Sequence, residues 1–266
     1  MEEKRENLMR FGIAAKGFVY CLIGVLTLLA AVGIGGSKSG GSGALKSLTG
    51  STVGLIVLSV TALGLIAYVI WRFYQTFIDP EEKGNDAKGI ARRIGYFSSG
   101  VLYGFLAYTA ISILLGSGGG SGSGSGGGGQ EILIAKVLNQ TFGQILVALI
   151  ATVFLGKALY QMFRAYSNKY KEKVKEQNLP SEVQQTVLTF GKLGYTARGL
   201  VVGVIAFLTY KAALTANSDK AGGTEDAFSF LQNEFGTVVL AIISVGLLMY
   251  GIFILVKARH REMSMV

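Results

Sequence analysis

Long apolar stretches alternate with short polar ones along the whole chain. A bilayer core is about 30 Å thick, so a helix needs roughly 20 mostly apolar residues to cross it. No charged residue occurs between Arg93 and Glu131, or between Glu234 and Lys257. The pattern predicts six spanning helices, at residues 11–34, 53–74, 94–116, 142–164, 194–216 and 236–257.

Composition strengthens this interpretation. Hydrophobic residues make up 50% of the 266 positions and charged residues only 15%, whereas soluble domains carry roughly 25% charged residues to wet their surface. The single cysteine, Cys21, excludes an internal disulfide. We therefore expect an all-α, polytopic membrane protein.

The basic residues indicate an orientation. Of the 25 Lys and Arg residues, 17 lie in the two tails and in the second and fourth connections, and four lie in the other connections. Basic residues accumulate on the cytoplasmic side of membrane proteins. The pattern predicts cytoplasmic N and C termini, and it explains the net charge of +9 without a nucleic-acid partner.

Three copies of a two-helix unit are visible. Residues 10–20 read RFGIAAKGFVY, residues 93–103 read RIGYFSSGVLY and residues 192–202 read KLGYTARGLVV. In the second helices, Gly64-x3-Tyr68-x3-Arg72 matches Gly156-x3-Tyr160-x3-Arg164, and Gly246-x3-Tyr250 is followed by Ile254. An amphipathic stretch precedes each second helix, at residues 44–54, 132–143 and 227–236.

These copies predict the domain organisation. The units span residues 8–82, 92–176 and 190–262 within one membrane domain, and all begin on the same side of the membrane. Parallel repeats are related by an axis along the membrane normal. We expect a pseudo-threefold bundle of three parallel hairpins.

The repeated motif, R-x-G-x-x-x-x-G followed by G-x3-Y-x3-R, resembles the bacterial membrane family catalogued as domain of unknown function 1206. The likeness covers about residues 8 to 262 in three copies. The chain departs from the pattern at Ser99 and Ile254, and it has Lys16 where the third copy has Arg198. The resemblance implies an integral protein of the bacterial cytoplasmic membrane, and it implies no activity.

Repeated glycines of the first helices are candidate packing residues, because small residues let membrane helices approach closely. The alternative interpretation is that these glycines line a groove that binds a ligand. The glycines are Gly12, Gly17, Gly95, Gly100, Gly104, Gly194, Gly199 and Gly203.

The Gly/Ser tract at 116–129 is typical of a flexible loop, not a dinucleotide site, because no strand precedes it.

Catalytic chemistry has few residues to use. His260 is the single histidine, and the six predicted spans contain no Asp or Glu. A zinc site and a Ser-His-Asp triad both need more such residues. We expect no enzyme activity, no metal and no cofactor.

Four cations within the spans are the most informative polar residues: Lys16, Lys157, Arg198 and Lys211. A charge at the bilayer centre costs roughly 2.5–3.5 kcal/mol. Lys16, Lys157 and Arg198 lie at similar predicted depths near the cytoplasmic side. They either snorkel to lipid phosphates or form an anionic site, with Tyr20 and Tyr160 as further partners.

Two functions follow from these alternatives. One is a lipid-interacting or scaffolding membrane component, with membrane lipids as partners. The other is an anion-selective channel or carrier for a small anion or amphiphile. The direction in which the three cations face distinguishes the two.

Overall fold

The computed structural model describes residues 2–80, 84, 86–116, 134, 136–138, 140, 142–167, 181–217 and 221–259. Seven α-helices have both ends within these residues: α1 (Glu2–Ala31), α2 (Gly41–Lys46), α3 (Thr52–Phe77), α4 (Ala87–Leu114), α5 (Gly143–Tyr166), α6 (Ser181–Thr215) and α7 (Thr224–Arg259). No strand occurs among the described residues. All of these helices except α2 are long and apolar enough to cross a membrane, which confirms the prediction of six spans.

Side-chain caps mark where several helices begin. Ser51 accepts a hydrogen bond from the Gly54 amide at 3.0 Å, and Asp86 accepts one from the Gly89 amide at 2.9 Å. Such caps satisfy amides that have no partner within the helix. At the start of α7, Asp226 accepts from the Gly223 amide at 2.9 Å. Gly223 immediately precedes the helix and Asp226 is its third residue, so this bond corresponds to one half of a capping box.

The amphipathic stretches adopt different conformations. The first forms the short helix α2 and a 3-10 turn at Ser47–Gly50. The last is continuous with the final span in α7, which breaks at Gly236, where φ is 84° and ψ is 170°. This left-handed region suits glycine, so Gly236 separates the stretch from the span. The middle stretch, 132–143, lies partly outside the described residues, as does most of the tract at 116–129.

The chain forms two compact units. Unit 1 contains residues 1–18, 45–121 and 254–266, and unit 2 contains residues 19–44 and 122–253. In unit 1, α4 packs on α3; in unit 2, α5 packs on α6. The core of unit 2 includes a buried cluster of Ile134, Val147, Ala212, Ala213 and Ala221.

Candidate cation–tyrosine sites

Two of the four intramembrane cations are buried side chains. Lys16 on α1 is 7% exposed and Arg198 on α6 is 9% exposed. The two residues occupy equivalent positions in the first and third copies of the repeat. Each donates a hydrogen bond to a tyrosine that lies 52 residues further along the chain.

The Lys16 cluster lies in unit 1 and consists of Lys16, Tyr68, Arg72 and Tyr103. Lys16 Nζ donates to Tyr68 Oη at 3.2 Å. The ammonium also lies 5.2 Å from the Tyr68 ring centroid and 5.4 Å from that of Tyr103. The two rings meet edge to face at 4.7 Å. Aromatic faces attract cations at these distances.

Arg72 brings a second positive charge to the same phenol. Its Nε donates to Tyr68 Oη at 2.8 Å, and its Nη1 donates to Gln75 Oε1 at 2.7 Å. The guanidinium lies 4.9 Å from the Tyr68 ring and 5.1 Å from the Tyr96 ring. One phenol oxygen therefore accepts hydrogen bonds from two cationic side chains.

The Arg198 cluster lies in unit 2 and consists of Arg198, Tyr20 and Tyr250. Arg198 Nε donates to Tyr20 Oη and Nη1 donates to Tyr250 Oη, both at 2.9 Å. The guanidinium lies 5.2 Å and 5.0 Å from the same two rings, which meet edge to face at 4.8 Å. Tyr20 is one of the two tyrosines expected from the sequence as partners.

Glycines bring the helices of both clusters together. A β-carbon added at Gly12 would lie 2.6 Å from the Tyr68 backbone nitrogen, and one at Gly194 would lie 2.6 Å from Tyr250 Cα. Both distances are shorter than real side chains allow. The close approach therefore places each cation beside the tyrosine of the facing helix.

The second helix of each of these two copies also carries a glycine at the contact, and it faces the first helix. A β-carbon at Gly64 would meet Ala15, and one at Gly246 would meet Ala197. These four glycines occupy equivalent positions in the first and third copies. The two helix pairs are thus built on the same contact.

The second copy has the same glycines in a different environment. Among the described residues, no heavy atom outside the local helix lies within 4 Å of a β-carbon added at Gly95 or Gly156. Ser99 replaces the cation, and Tyr160 is 56% exposed. The second copy therefore contributes no equivalent cluster among the described residues.

The other candidate glycines differ in their surroundings. A β-carbon at Gly100 would lie 3.3 Å from Phe73, and one at Gly199 would lie 3.2 Å from Met162 Sδ. Gly203 is 3.9 Å from Ala158 by the same measure, and Gly104 has no neighbour within 4 Å among the described residues. Gly17 is buried.

The remaining two cations are more accessible. Lys157 is partly buried on α5, next to Ala158, and Lys211 is exposed on α6. The hydrogen bonds and ring contacts of Arg198 described above come from Tyr20 and Tyr250. The expected proximity of Lys157 to Arg198 stays a prediction.

Basic residues at the start of each copy contact the end of another copy. Arg93 Nε donates to the Thr76 carbonyl at 2.7 Å, and Arg10 Nε donates to the Ala258 carbonyl at 2.9 Å. Lys192 Nζ lies 4.9 Å from the Tyr166 ring centroid. These contacts join copy two to copy one, copy one to copy three and copy three to copy two. The pseudo-threefold arrangement itself stays a prediction.

Sequence reasoning missed several residues of the two clusters. The sequence presents Tyr68, Tyr250 and Arg72 only as parts of the repeated Gly-x3-Tyr-x3-Arg motif, and Tyr103 only as part of an aligned segment. The signal that could have found them is the alignment itself. Lys16 and Arg198 align, and so do Tyr68 and Tyr250, which suggests two equivalent cation–tyrosine pairs.

Metal ligation has no site in the described part of the chain, where no three His, Cys, Asp or Glu side chains are grouped to hold an ion. His260 lies outside the described residues.

Comparison with known proteins agrees with the repeat pattern. A family model described as Domain of Unknown Function (DUF1206) matches residues 11–79, 94–168 and 193–261. The chain is 31% identical over 256 residues to "Uncharacterized protein YxxB" of Bacillus subtilis (strain 168), and the match covers 96% of this chain and 90% of that protein. No solved structure is significantly similar. The three-copy prediction is confirmed, and the chain belongs to the family described as Domain of Unknown Function (DUF1206).

Proposed function

We propose that this protein is a lipid-interacting or scaffolding component of the bacterial cytoplasmic membrane. In this proposal both termini are cytoplasmic, and Lys16 and Arg198 attract anionic lipid headgroups. It acts on no substrate as an enzyme and binds no nucleic acid. The partners are membrane lipids.

The observation that carries the proposal is the burial of two cations at equivalent positions. The six spans as predicted from the sequence contain no Asp or Glu, and tyrosine hydroxyls are neutral acceptors. Hydrogen bonds to them reduce the cost of burying Lys16 and Arg198 but do not neutralise the charge. An anionic group nearby offsets that cost further, because opposite charges attract strongly where water is excluded.

The same burial argues against simple snorkelling. A snorkelling side chain extends along the helix and keeps its charged end in water or among headgroups. Lys16 and Arg198 are instead more than nine-tenths buried and lie against tyrosine rings. This geometry favours a site into which an anionic group enters.

Native mass spectrometry of the purified protein tests the proposal at Arg198. We expect Arg198→Leu to lose most of its retained anionic lipid, because the guanidinium is removed. Arg198→Lys should retain an intermediate amount, since an ammonium cannot bind phosphate in a bidentate manner. Lys211→Leu is the matched control, because it removes an exposed cation from the same helix. Equal lipid adducts on wild type and Arg198→Leu would disprove lipid binding at this site.

Cysteine labelling tests the orientation. In a Cys21→Ala background, we expect Ser47→Cys to react with an impermeant maleimide on intact cells. Ala87→Cys should react only after permeabilisation, because it lies in the connection rich in basic residues. Both positions are exposed. Reversed accessibility would contradict cytoplasmic termini.

A further inference from the structure

We propose that the Lys16 cluster is a binding site for a phosphate-type oxyanion. In this site the Tyr68 hydroxyl donates a hydrogen bond to the ligand, and Lys16 and Arg72 supply the positive charge. The inference deepens the proposed function and rests on it, since it specifies the anionic group as a phosphate and adds Tyr68 and Arg72 to the site.

The direction of the hydrogen bonds at Tyr68 is the first argument. Lysine and arginine side chains only donate, so Tyr68 Oη is the acceptor in its bonds with Lys16 and Arg72. The phenolic hydrogen takes part in neither bond. Tyr68 is 1% exposed, and among the described residues no acceptor receives this hydrogen. Buried donors nearly always have a partner, so an acceptor is expected here.

The charge of the cluster is the second argument. Lys16 and Arg72 meet on one neutral oxygen, and like charges this close repel each other. The chain has no Asp or Glu between Glu6 and Asp79, which covers the spanning parts of α1 and α3. The same is true between Asp86 and Glu131, which covers the span of α4. An acceptor for the Tyr68 hydrogen that also carries negative charge would reduce this repulsion, and we infer that an anion from outside the chain supplies it.

The third argument is that the cluster contains hydrogen-bond donors of different geometry, which indicates the chemical class of the ligand. The ammonium of Lys16 and the planar guanidinium of Arg72 both reach Tyr68 Oη, so three kinds of donor, counting the phenolic hydroxyl itself, lie together. A tetrahedral phosphate or phosphoester presents several oxygens in different directions and can accept from all three. Arginine is well suited to this ligand because its fork matches two phosphate oxygens.

Access to the cluster comes from the side of Arg72. Lys16 and Tyr68 are buried, whereas Arg72 and Tyr96 are half-buried. Arg72 lies in the last two turns of α3, which ends at Phe77, and we place that end at the cytoplasmic surface. A lipid headgroup and a free phosphate ion can both reach a guanidinium there. The chemistry is shared, so the source of the phosphate is decided by experiment.

Isothermal titration of the full chain in a neutral detergent tests this inference. The probes are inorganic phosphate and dihexanoyl phosphatidic acid, each at constant ionic strength. We expect Tyr68→Phe to raise the Kd of at least one probe tenfold or more, because it removes the hydroxyl and keeps the ring. Tyr108→Phe is the matched control, because this tyrosine on α4 is 70% exposed and lies in neither cluster. It should bind as wild type does.

Arg72→Gln is a second variant, which keeps Tyr68 and removes one charge. It should also raise the Kd at least tenfold, and size-exclusion chromatography of each variant reports whether the fold is retained. If wild type binds inorganic phosphate, the site accepts a free oxyanion. If it binds only the lipid, the site recognises a headgroup phosphate. Both outcomes support the inference when the two variants weaken binding.

Three results would overturn the inference: no binding of either probe to wild type, wild-type affinity in folded Tyr68→Phe or Arg72→Gln, or equal weakening in Tyr108→Phe. The titration with inorganic phosphate involves no lipid. Its result is therefore separate from the lipid adducts measured on Arg198→Leu, so a failure of this inference can be distinguished from a failure of the proposed function.

Discussion

The Lys16 cluster and the Arg198 cluster share one framework and differ in their charge. In each, a cation on the first helix of a copy donates to a tyrosine on the second helix. A tyrosine from another copy completes each cluster, Tyr103 in one and Tyr20 in the other. Arg72 adds a second cation to the Lys16 cluster, and Ile254 takes its place in the third copy.

The difference shows that packing and charge are set by separate residues. The glycines that bring the helices together are the same in both copies, so the tyrosine is presented in the same way. Substitution at two positions then changes the cation and the number of charges. The second copy keeps the glycines, but Ser99 replaces the cation, and Tyr160, the equivalent of Tyr68 and Tyr250, is 56% exposed.

The largest expected effect comes from the glycines that build the shared framework. We expect Gly12→Ala and Gly194→Ala each to lower the free energy of unfolding by about 2–3 kcal/mol, because the new methyl group overlaps the facing backbone. Gly95→Ala should be neutral or stabilise by up to about 1 kcal/mol, since alanine favours helix and its β-carbon would meet no described residue within 4 Å. Thermal unfolding in detergent measures all three. Equal effects at the three positions would remove the distinction between the copies.

Loss of one tyrosine hydroxyl should have the next largest effect. Tyr250→Phe removes an acceptor from the buried Arg198, and hydrogen bonds to charged groups contribute about 1.5–3 kcal/mol. We expect a loss of about 2 kcal/mol in the free energy of unfolding. Tyr160→Phe is the equivalent change in the second copy, where the side chain is exposed, and it should change stability by less than about 0.5 kcal/mol. A similar loss in both variants would show that Tyr250 has no special role.

Exchanging the two cations sharpens the comparison further. Arg198→Lys should cost about 1 kcal/mol, because a single ammonium is a poor match for two phenols that a planar guanidinium reaches from different nitrogens. Lys16→Arg should cost less than this, since the Arg198 cluster shows that the framework accommodates a guanidinium. Unfolding of the purified variants measures both. A larger loss for Lys16→Arg would mean that the two clusters are not interchangeable.

The smallest expected effect concerns the contacts between copies. Arg10 donates to the Ala258 and Arg259 carbonyls at the end of α7, and Arg93 donates to the Thr76 carbonyl at the end of α3. We expect Arg10→Gln and Arg93→Gln each to cost about 0.5–1 kcal/mol, as is usual for one net hydrogen bond. Amide hydrogen exchange should become faster in the last turn of α7 in Arg10→Gln and in the last turn of α3 in Arg93→Gln. Unchanged exchange would indicate that solvent replaces the arginine.

Hydrophobic patterning predicted the spans well because a bilayer imposes a minimum length on apolar helices. The expected boundary between the amphipathic stretch and the last span coincides with the backbone break at Gly236. Partners of the cations were harder to predict. The sequence predicts Tyr20 as a partner of Arg198, but it marks Tyr68 and Tyr250 only as repeated residues, because side-chain contacts between helices depend on helix rotation and crossing.

The sequence by itself determined the six spans, the three copies and the absence of acidic residues from the predicted apolar segments, because each is a property of residue type and spacing. Only the tertiary structure decided which glycines make close helix contacts. Gly12, Gly95 and Gly194 are equivalent in sequence, yet a β-carbon would meet the facing backbone at the first and third, and at the second it would meet no described residue within 4 Å. Close packing depends on the geometry of the facing helix, and that geometry is not encoded in the motif alone.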